Sequence, residues 1–207
     1  MTESMESQTN GVENRLTKEQ INLLPLRKYS GPVYLISRDE QMADALGMLA
    51  GEETLGFDIE MKPSFHKGES YPPALIQLAT RKAVFLFQLK FLSSIQSLLA
   101  ILSRPGVVKA GVAVADDVRR LRAVYSFQPA GFEELGKMAA RVGLKDGGLR
   151  TLAANLLNFR VSKQAQRSNW ARDLLSPGQI EYAATDAWVC RELYLFLKKK
   201  SPRPISG

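Results

Sequence analysis

The spacing of apolar residues divides the chain into a strand-rich first part and a helical second part. Short apolar runs are typical of strands, and an apolar residue at every third or fourth position is typical of an amphipathic helix. Arg81-Lys82 separates two of the runs so closely that we expect a hairpin there. The runs that predict strands are PVYLIS, TLGFDIEM, ALIQLAT, AVFLFQL and VVKAGVAV.

Helical spacing accounts for most of the remaining chain. RDEQMADALGMLAG and FLSSIQSLLAILS predict helices between strands, and the pattern is helical from residue 115 onward, with breaks at 126–131, 143–148 and 168–177. Strands joined by helices and followed by a helical half indicate an α/β layered domain with a mixed sheet. A length of 207 residues fits one such domain.

The two ends of the chain differ from the region between them. Residues 1–14 are polar and show no periodicity, and LTKEQINLLPL, which follows, is compatible with a short helix. We therefore place the domain at residues 29–200, between a flexible N-terminal segment at 1–28 and a C-terminal tail at 201–207.

Composition adds limits to this description. No run is long enough for a membrane span or a signal core, so we expect a soluble, intracellular, cytoplasmic protein without a membrane partner. The single cysteine, Cys190, has no internal disulfide partner. The net charge of +7 is compatible both with a polyanionic partner and with solubility alone.

Two acidic residues lie on one face of the predicted strand TLGFDIEM. Because alternate side chains of a strand share a face, Phe57 and Ile59 point one way, while Asp58 and Glu60 point the other. Carboxylates about 7 Å apart along a strand repel each other unless a cation lies beside them. An acidic face exposed to solvent is the alternative, and this pattern alone does not exclude it.

A second acidic pair, Asp116-Asp117, follows the run VVKAGVAV where a helix begins. Helical periodicity puts Asp117 on the inward face with Leu121, and Asp116 on the outer face with Arg119 and Arg120. Asp116 is therefore the candidate helix cap, and Asp117 is the candidate ligand.

The last predicted helix carries a tyrosine and an aspartate on its apolar stripe. Ser176, Pro177 and Gln179 are a strong start signal, with serine at the N-cap and glutamine at the third helical position. Tyr182 and Asp186 then fall one turn apart on the same face. A buried aspartate needs a partner, which is either a metal ion or a nearby arginine.

These residues together resemble the motifs of the DEDD superfamily of 3′–5′ exonucleases, in the tyrosine branch that includes ribonuclease D and Werner-type exonuclease domains. The motif F-D-x-E matches Phe57–Glu60, G-V-x-[VI]-x-x-D-x-x-x-L matches Gly111–Leu121, and Y-A-A-x-D-A matches Tyr182–Ala187. The segments ALIQLAT and Ser168–Trp170 are also similar. The histidine branch would place a histidine where this chain has Glu181.

The resemblance implies an α/β ribonuclease H-like fold, in which a five-stranded mixed sheet is flanked by helices and Asp58 and Glu60 lie on the central strand. It also implies two bound divalent cations, Mg²⁺ or Mn²⁺, for which all-oxygen ligands are suitable. By this analogy, Asp58, Glu60 and Asp186 hold one ion, and Asp58 and Asp117 serve the second. Tyr182 positions the attacking water.

The resemblance further implies a single-stranded or 3′-ended nucleic acid as partner, which is hydrolysed to nucleoside 5′-monophosphates. Substrate contacts are expected from Ile59 and Met61, beside the acidic pair. Contacts to phosphates are expected from Arg150, Lys163 and Arg167, which are otherwise solvated helix charges.

DNA is the substrate that we expect. Ribonuclease D relatives usually add helical RNA-binding domains, and this sequence shows no segment that would form one. Hydrolysis of RNA is the first alternative. The second is an inactive scaffold of the same fold that binds nucleic acid, although such a scaffold typically lacks one or more of the acidic residues.

Overall fold

The computed structural model describes residues 15–66, 68–144 and 147–200. A mixed six-stranded sheet with the order β1-β4-β3-β2-β5-β6 forms its centre. The strands are β1 (Val33–Ile36), β2 (Thr54–Met61), β3 (Pro73–Ala79), β4 (Val84–Gln88), β5 (Val108–Gly111) and β6 (Phe132–Glu134). The helices are α1 (Lys18–Leu23), α2 (Glu40–Leu49), α3 (Gln96–Leu102), α4 (Val114–Arg122), α5 (Leu135–Arg141), α6 (Leu149–Leu152) and α7 (Pro177–Lys200).

The sheet contains one strand more than the five that the sequence predicts. The predicted runs form β1 to β5, and β2, which carries the first acidic pair, lies inside the sheet between β3 and β5. The additional strand, β6, has three residues and pairs in parallel with β5, where Lys109 lies opposite Phe132. Three residues are too few to show alternation within a helical pattern, so the predicted number of five is wrong.

Strand directions follow the connections between the strands. β2, β3 and β4 are antiparallel, whereas β1 pairs in parallel with β4, and β5 pairs in parallel with β2. The turn after β3 is closed by Thr80, whose backbone N–H and hydroxyl both donate to the carbonyl of Ala83, at 2.8 and 2.9 Å. The hairpin predicted at Arg81-Lys82 is therefore confirmed.

Helices cover both faces of the sheet. Phe57 and Ile59 of β2 face α2 and α3 and belong to one hydrophobic cluster with them. On the opposite face, α7 packs over Leu75 and Leu86. Asp58 and Glu60 therefore point toward the α7 side. None of the helices in the described part of the chain is long and apolar enough to cross a membrane.

The N-terminal segment is attached to the domain as far back as residue 15. The backbone N–H of Leu16 donates to the side-chain oxygen of Asn155 (2.8 Å), and that of Arg27 donates to the carbonyl of Arg160 (2.9 Å). These contacts, which are distant in sequence, attach the segment before residue 29 to the domain, and the boundary at residue 29 stays a prediction. Residues 1–14 and the predicted tail at 201–207 lie outside the described residues.

Candidate active site

The first acidic pair lies where β2 passes beneath α7. Asp58 is opposite Gln77 in the antiparallel pairing with β3, and Glu60 is opposite Leu75. The pairing shifts between Glu60 and Met61, which is a β-bulge at the end of the strand. Bulges change the direction of the side chains that follow them. Asp58 and Glu60 therefore lie in the regular part of the strand, whereas Met61 follows the bulge and is out of the regular register.

The start of α7 places the third motif. The backbone N–H of Gln179 donates to the hydroxyl of Ser176 (3.2 Å), and the N–H of Ser176 donates to the side-chain oxygen of Gln179 (3.0 Å). This reciprocal capping box confirms the predicted helix start. The Gln179 amide also donates to Ser168 and to the carbonyl of Asn169, which anchors the preceding loop.

A glycine allows α7 to approach the strand closely enough to complete the cluster. A Cβ atom on Gly56 would lie 1.9 Å from the carbonyl oxygen of Ala187 and 2.8 Å from the backbone nitrogen of Arg191. The helix backbone therefore rests directly on the strand backbone at this point. Ala187 follows Asp186, so this contact holds Asp186 over the carboxylates of β2.

Three carboxylates meet at this crossing. Ligand oxygens of Asp58, Glu60 and Asp186 all lie within 4.8 Å of one another, a spacing that a metal ion can bridge. Among the described residues, no arginine or lysine forms an ion pair with any of the three. The alternative of an arginine partner for Asp186, which the sequence leaves open, is thus not supported by the structure.

Asp117 lies nearby on α4 but outside this group of three. The helix begins at Val114, after Ala113 in the left-handed conformation (φ 59°). The carboxylate of Glu134 accepts the backbone N–H groups of Ala113 and Val114, at 3.1 and 3.0 Å. The cap role predicted for Asp116 is therefore wrong. Asp116 lies inside the helix and forms an exposed ion pair with Arg119.

Burial, followed by the charges of neighbouring carboxylates, disfavours ionisation of this cluster. Burial raises the pKa of Asp58 to about 7. Burial, followed by the charges of Asp58, Asp186 and Asp117, raises the pKa of Glu60 to about 10. Burial and then Asp58 raise the pKa of Asp117 to about 8, although the nearby Arg120 acts in the opposite direction. Burial and then Asp58 also raise the pKa of Asp186 well above its ordinary range.

These shifts predict how metal ions change stability with pH. Carboxyls whose pKa rises on folding bind more protons in the folded state. Their contribution to the free energy of unfolding is therefore full below about pH 4 and is lost as pH increases toward 7–10. A bound divalent cation compensates the negative charge that the carboxylates acquire when they lose their protons. We expect the increase in Tm caused by Mg²⁺ or Mn²⁺ over EDTA to grow between pH 5 and pH 8, as measured by thermal denaturation. An increase of equal size at both pH values would contradict this prediction.

Tyr182 lies one turn before Asp186, as predicted, and is 9% exposed. Burial and then the charge of Asp186 raise its pKa, so the hydroxyl stays protonated at neutral pH and can donate a hydrogen bond. The ring packs against Trp170, with centroids 5.9 Å apart. Trp170 is 1% exposed and belongs to the core, which makes it a support for Tyr182.

The predicted substrate residues divide into two groups around the carboxylates. Met61 and Arg167 line a cavity of about 480 Å³ together with Glu60. Arg150 and Lys163 line a separate cavity of about 210 Å³, together with Tyr182 and Asp186.

The side chain of Ile59 does not take part in either group. It is 5% exposed and packs in the hydrophobic cluster on the opposite face of the sheet. Strand alternation directs this side chain away from the two carboxylates that flank it, so the predicted contact of Ile59 with substrate stays a prediction that only its backbone can fulfil.

Four further residues at the site were not identified from the sequence. Glu134 caps α4, and Arg120 and Gln166 line the cavity beside Glu60. Gln77 is fully buried opposite Asp58, and neither of its amide atoms has a hydrogen-bond partner within the described chain. The only sequence signal for Gln77 is a polar residue inside the apolar run ALIQLAT, and the other three have none.

Comparison with known protein families matches residues 33–202 to a family described as 3′-5′ exonuclease. The chain belongs to this exonuclease family. The match includes all three motifs, so the resemblance to DEDD exonucleases is confirmed, and with it the ribonuclease H-like fold class. Divalent metal ions are used in this family, and the carboxylate cluster on β2 and α7 suits them.

Individual relatives show how much of the exonuclease domain is shared. The chain is 33% identical over 146 residues to exonuclease 3′-5′ domain-containing protein 2 of Drosophila melanogaster (69% of this chain, 25% of that protein). It is 30% identical over 145 residues to ribonuclease D of Haemophilus influenzae (69% and 36%). The chain therefore spans about a quarter to a third of the length of these curated relatives.

The fold is also similar to that of a solved structure. The EXO domain of Nibbler from Aedes aegypti matches with a TM-score of 0.72 and 23% sequence identity, covering 84% of this chain and 92% of that one. At this identity the likeness supports the fold alone.

Proposed function

We propose that this domain hydrolyses nucleic acid from the 3′ end and releases nucleoside 5′-monophosphates, with two divalent cations bound by Asp58, Glu60, Asp117 and Asp186. The observation that carries the proposal is the convergence of these carboxylates, from three distant parts of the chain, in a domain of the 3′–5′ exonuclease family. A scaffold that only binds nucleic acid has no need for buried carboxylates that repel one another.

The residues present fit a pair of hard divalent cations. All four donors are carboxylates, which suit Mg²⁺ and Mn²⁺ better than zinc. Among the described residues, no arginine or lysine forms an ion pair with any of the four, and burial raises the pKa values of all four. When bound, such cations lower the pKa of an attacking water and neutralise the charge on the phosphoryl and leaving 3′ oxygens.

Each residue of the cluster has a separate role in this proposal. Asp58, Glu60 and Asp186, whose ligand oxygens lie within 4.8 Å of one another, would hold one cation. Asp117 would hold the second cation together with Asp58. Tyr182 keeps its proton and donates a hydrogen bond to the attacking water, which orients the water for in-line attack.

Removing the Tyr182 hydroxyl tests this role. In Tyr182→Phe the ring and its packing against Trp170 are kept, so we expect kcat to fall by about 100-fold, with little change in Tm. The matched control is Tyr34→Phe, on β1, which we expect to retain the wild-type kcat. A higher KM with an unchanged kcat would show that Tyr182 only binds substrate.

The reaction itself is tested with a 3′-labelled oligonucleotide incubated with Mg²⁺, with Mn²⁺ and with EDTA. We expect labelled mononucleotides to appear with the divalent ions and none to appear with EDTA. Absence of release with both ions would instead favour the inactive scaffold.

DNA is the substrate that we propose first. RNA is the second candidate, and the similarity to ribonuclease D of Haemophilus influenzae favours it. Cleavage rates of DNA and RNA strands of matched length and sequence distinguish the two, because a preference for RNA would leave the exonuclease proposal intact and replace the substrate.

A further inference from the structure

A second cavity continues from the carboxylates toward the N-terminal segment. The cavity beside Tyr182 and Asp186 shares Arg150 and Lys163 with a larger one, of about 500 Å³, whose opposite wall is formed by the N-terminal segment between residues 15 and 22. We call the larger one the N-terminal cavity. Because the two cavities share these residues, they are adjacent, with the two cations on their common wall.

The N-terminal cavity is strongly basic. Arg15, Lys18, Arg150 and Lys163 line it, and its lining contains no acidic residue among those that the structure describes. Within the same described ranges, none of the four cations forms an ion pair with a carboxylate. Four positive charges around one cavity repel one another, and an anion that enters it relieves this repulsion.

The wall formed by the N-terminal segment is held in place. Thr17 and Gln20 form a reciprocal capping box at the start of α1. Arg150 donates from its guanidinium group to the side-chain oxygen of Asn22, so one of the shared cations also joins the two walls. Arg15 and Lys18 are therefore presented by an ordered part of the chain. This segment lies before residue 33, where the match to the exonuclease family begins.

We propose that the N-terminal cavity binds phosphate groups of the nucleic-acid strand whose 3′ end lies at the carboxylates, with Arg15 and Lys18 as additional phosphate contacts. This inference rests on the proposed function. The cavity beside Tyr182 is the smaller of the two, and a polyanion that continues from it past Arg150 and Lys163 meets the two N-terminal cations. Cations that only provide solubility have no reason to line one cavity.

The double variant Arg15→Gln/Lys18→Gln tests the proposal in the whole chain. Binding of a fluorescent single-stranded 12-mer is measured by anisotropy at several salt concentrations, in EDTA so that the strand is not cut. We expect Kd to increase by about tenfold and the slope of log K against log salt to decrease by about 1.4, because each phosphate contact on a single strand contributes about 0.7.

A matched control separates local contacts from net charge. Lys137→Gln/Lys199→Gln removes the same charge at two exposed positions outside both cavities, and we expect its Kd and salt slope to stay close to the wild-type values. A far-UV circular dichroism spectrum checks that each variant is folded, and Lys18→Gln alone should give about half of the change in slope.

The outcomes distinguish this inference from the proposed function. If Arg15→Gln/Lys18→Gln binds the 12-mer as the control does, the cavity proposal is wrong, while mononucleotide release by the wild-type protein still supports the exonuclease. If the wild-type protein releases nothing, the exonuclease proposal fails, and the binding comparison still decides whether the cavity takes nucleic acid. A loss that is equally large for a dinucleotide would also overturn the proposal, because a dinucleotide is too short to fill both cavities.

Discussion

An Asp58→Asn variant is expected to lose at least about 10³-fold in the rate of nucleotide release. Asp58 is the one carboxylate that belongs to both proposed ion positions, since it lies beside Glu60 and Asp186 and also raises the pKa of Asp117. Metal ions contribute several kcal/mol of charge stabilisation in the transition state, and about 1.4 kcal/mol corresponds to a factor of ten. Single-turnover release of a 3′-labelled nucleotide in Mg²⁺ measures this loss.

The same substitution is expected to make the metal-free protein more stable. Asparagine has nearly the shape of aspartate but carries no charge, so the repulsion that raises the pKa of Glu60 decreases. One pKa unit corresponds to about 1.4 kcal/mol, and Asp58 accounts for only a part of the pKa shifts in the cluster. We therefore expect the free energy of unfolding to increase by on the order of 1–3 kcal/mol. Thermal denaturation in EDTA should show Tm higher by about 2–10 °C.

Asp116→Asn is the control for both effects. It is the same chemical change in the residue next to Asp117, but Asp116 is exposed, and so is the ion pair that it forms with Arg119. We expect the wild-type rate and a change in stability within about 0.5 kcal/mol. Wild-type activity in Asp58→Asn would rule out the proposed mechanism, and a lower Tm in EDTA would show that the carboxylate stabilises the fold.

Periodicity was sufficient to predict the parts of the site that are set by local geometry. Strand alternation correctly put Asp58 and Glu60 on one face, and helical spacing correctly put Tyr182 and Asp186 on the buried side of α7. Five of the six strands and the start of α7 at Pro177 follow from the same rules, because each depends on neighbouring residues only.

Features that depend on contacts distant in sequence were not predictable in this way. Glu134 caps α4 only because β6 pairs beside β5, and no local pattern connects residues 113 and 134. The attachment of α1 likewise depends on Asn155 and Arg160, more than a hundred residues away.

Two glycines, one directly before the first motif and one at the start of the second, show how tertiary packing gives a role to residues without side chains. Gly56 lies under the backbone of α7, as described above. Gly111, at the end of β5, is close to β2 in the same manner, because a Cβ atom there would lie 2.6 Å from the carbonyl oxygen of Phe57. Both positions bring backbones together around Asp58, so the separations among the carboxylates depend on the absence of a methyl group.

Gly56→Ala is therefore expected both to destabilise the protein and to reduce catalysis. The added Cβ would lie 1.9 Å from the carbonyl oxygen of Ala187, and a backbone atom cannot move aside as the end of a side chain can. Lifting α7 also loosens its packing over β2 and β3, so we expect a loss of about 3 kcal/mol or more in the free energy of unfolding, measured by urea denaturation. Displacing Asp186 by about 1 Å should lower the rate of nucleotide release about 100-fold in the protein that remains folded.

Gly47→Ala is the matched control, because it adds the same methyl group at a glycine with nothing within 4 Å of the new Cβ. Gly47 lies inside α2, where alanine is favoured over glycine, so we expect a gain of about 0.5–1 kcal/mol in stability and an unchanged rate. The contrast between the two variants separates the close approach of α7 from the general effect of replacing glycine in this domain. Equal stability of Gly56→Ala and the wild-type protein would mean that α7 does not rest on β2 at Gly56, and that another contact positions Asp186 beside Asp58.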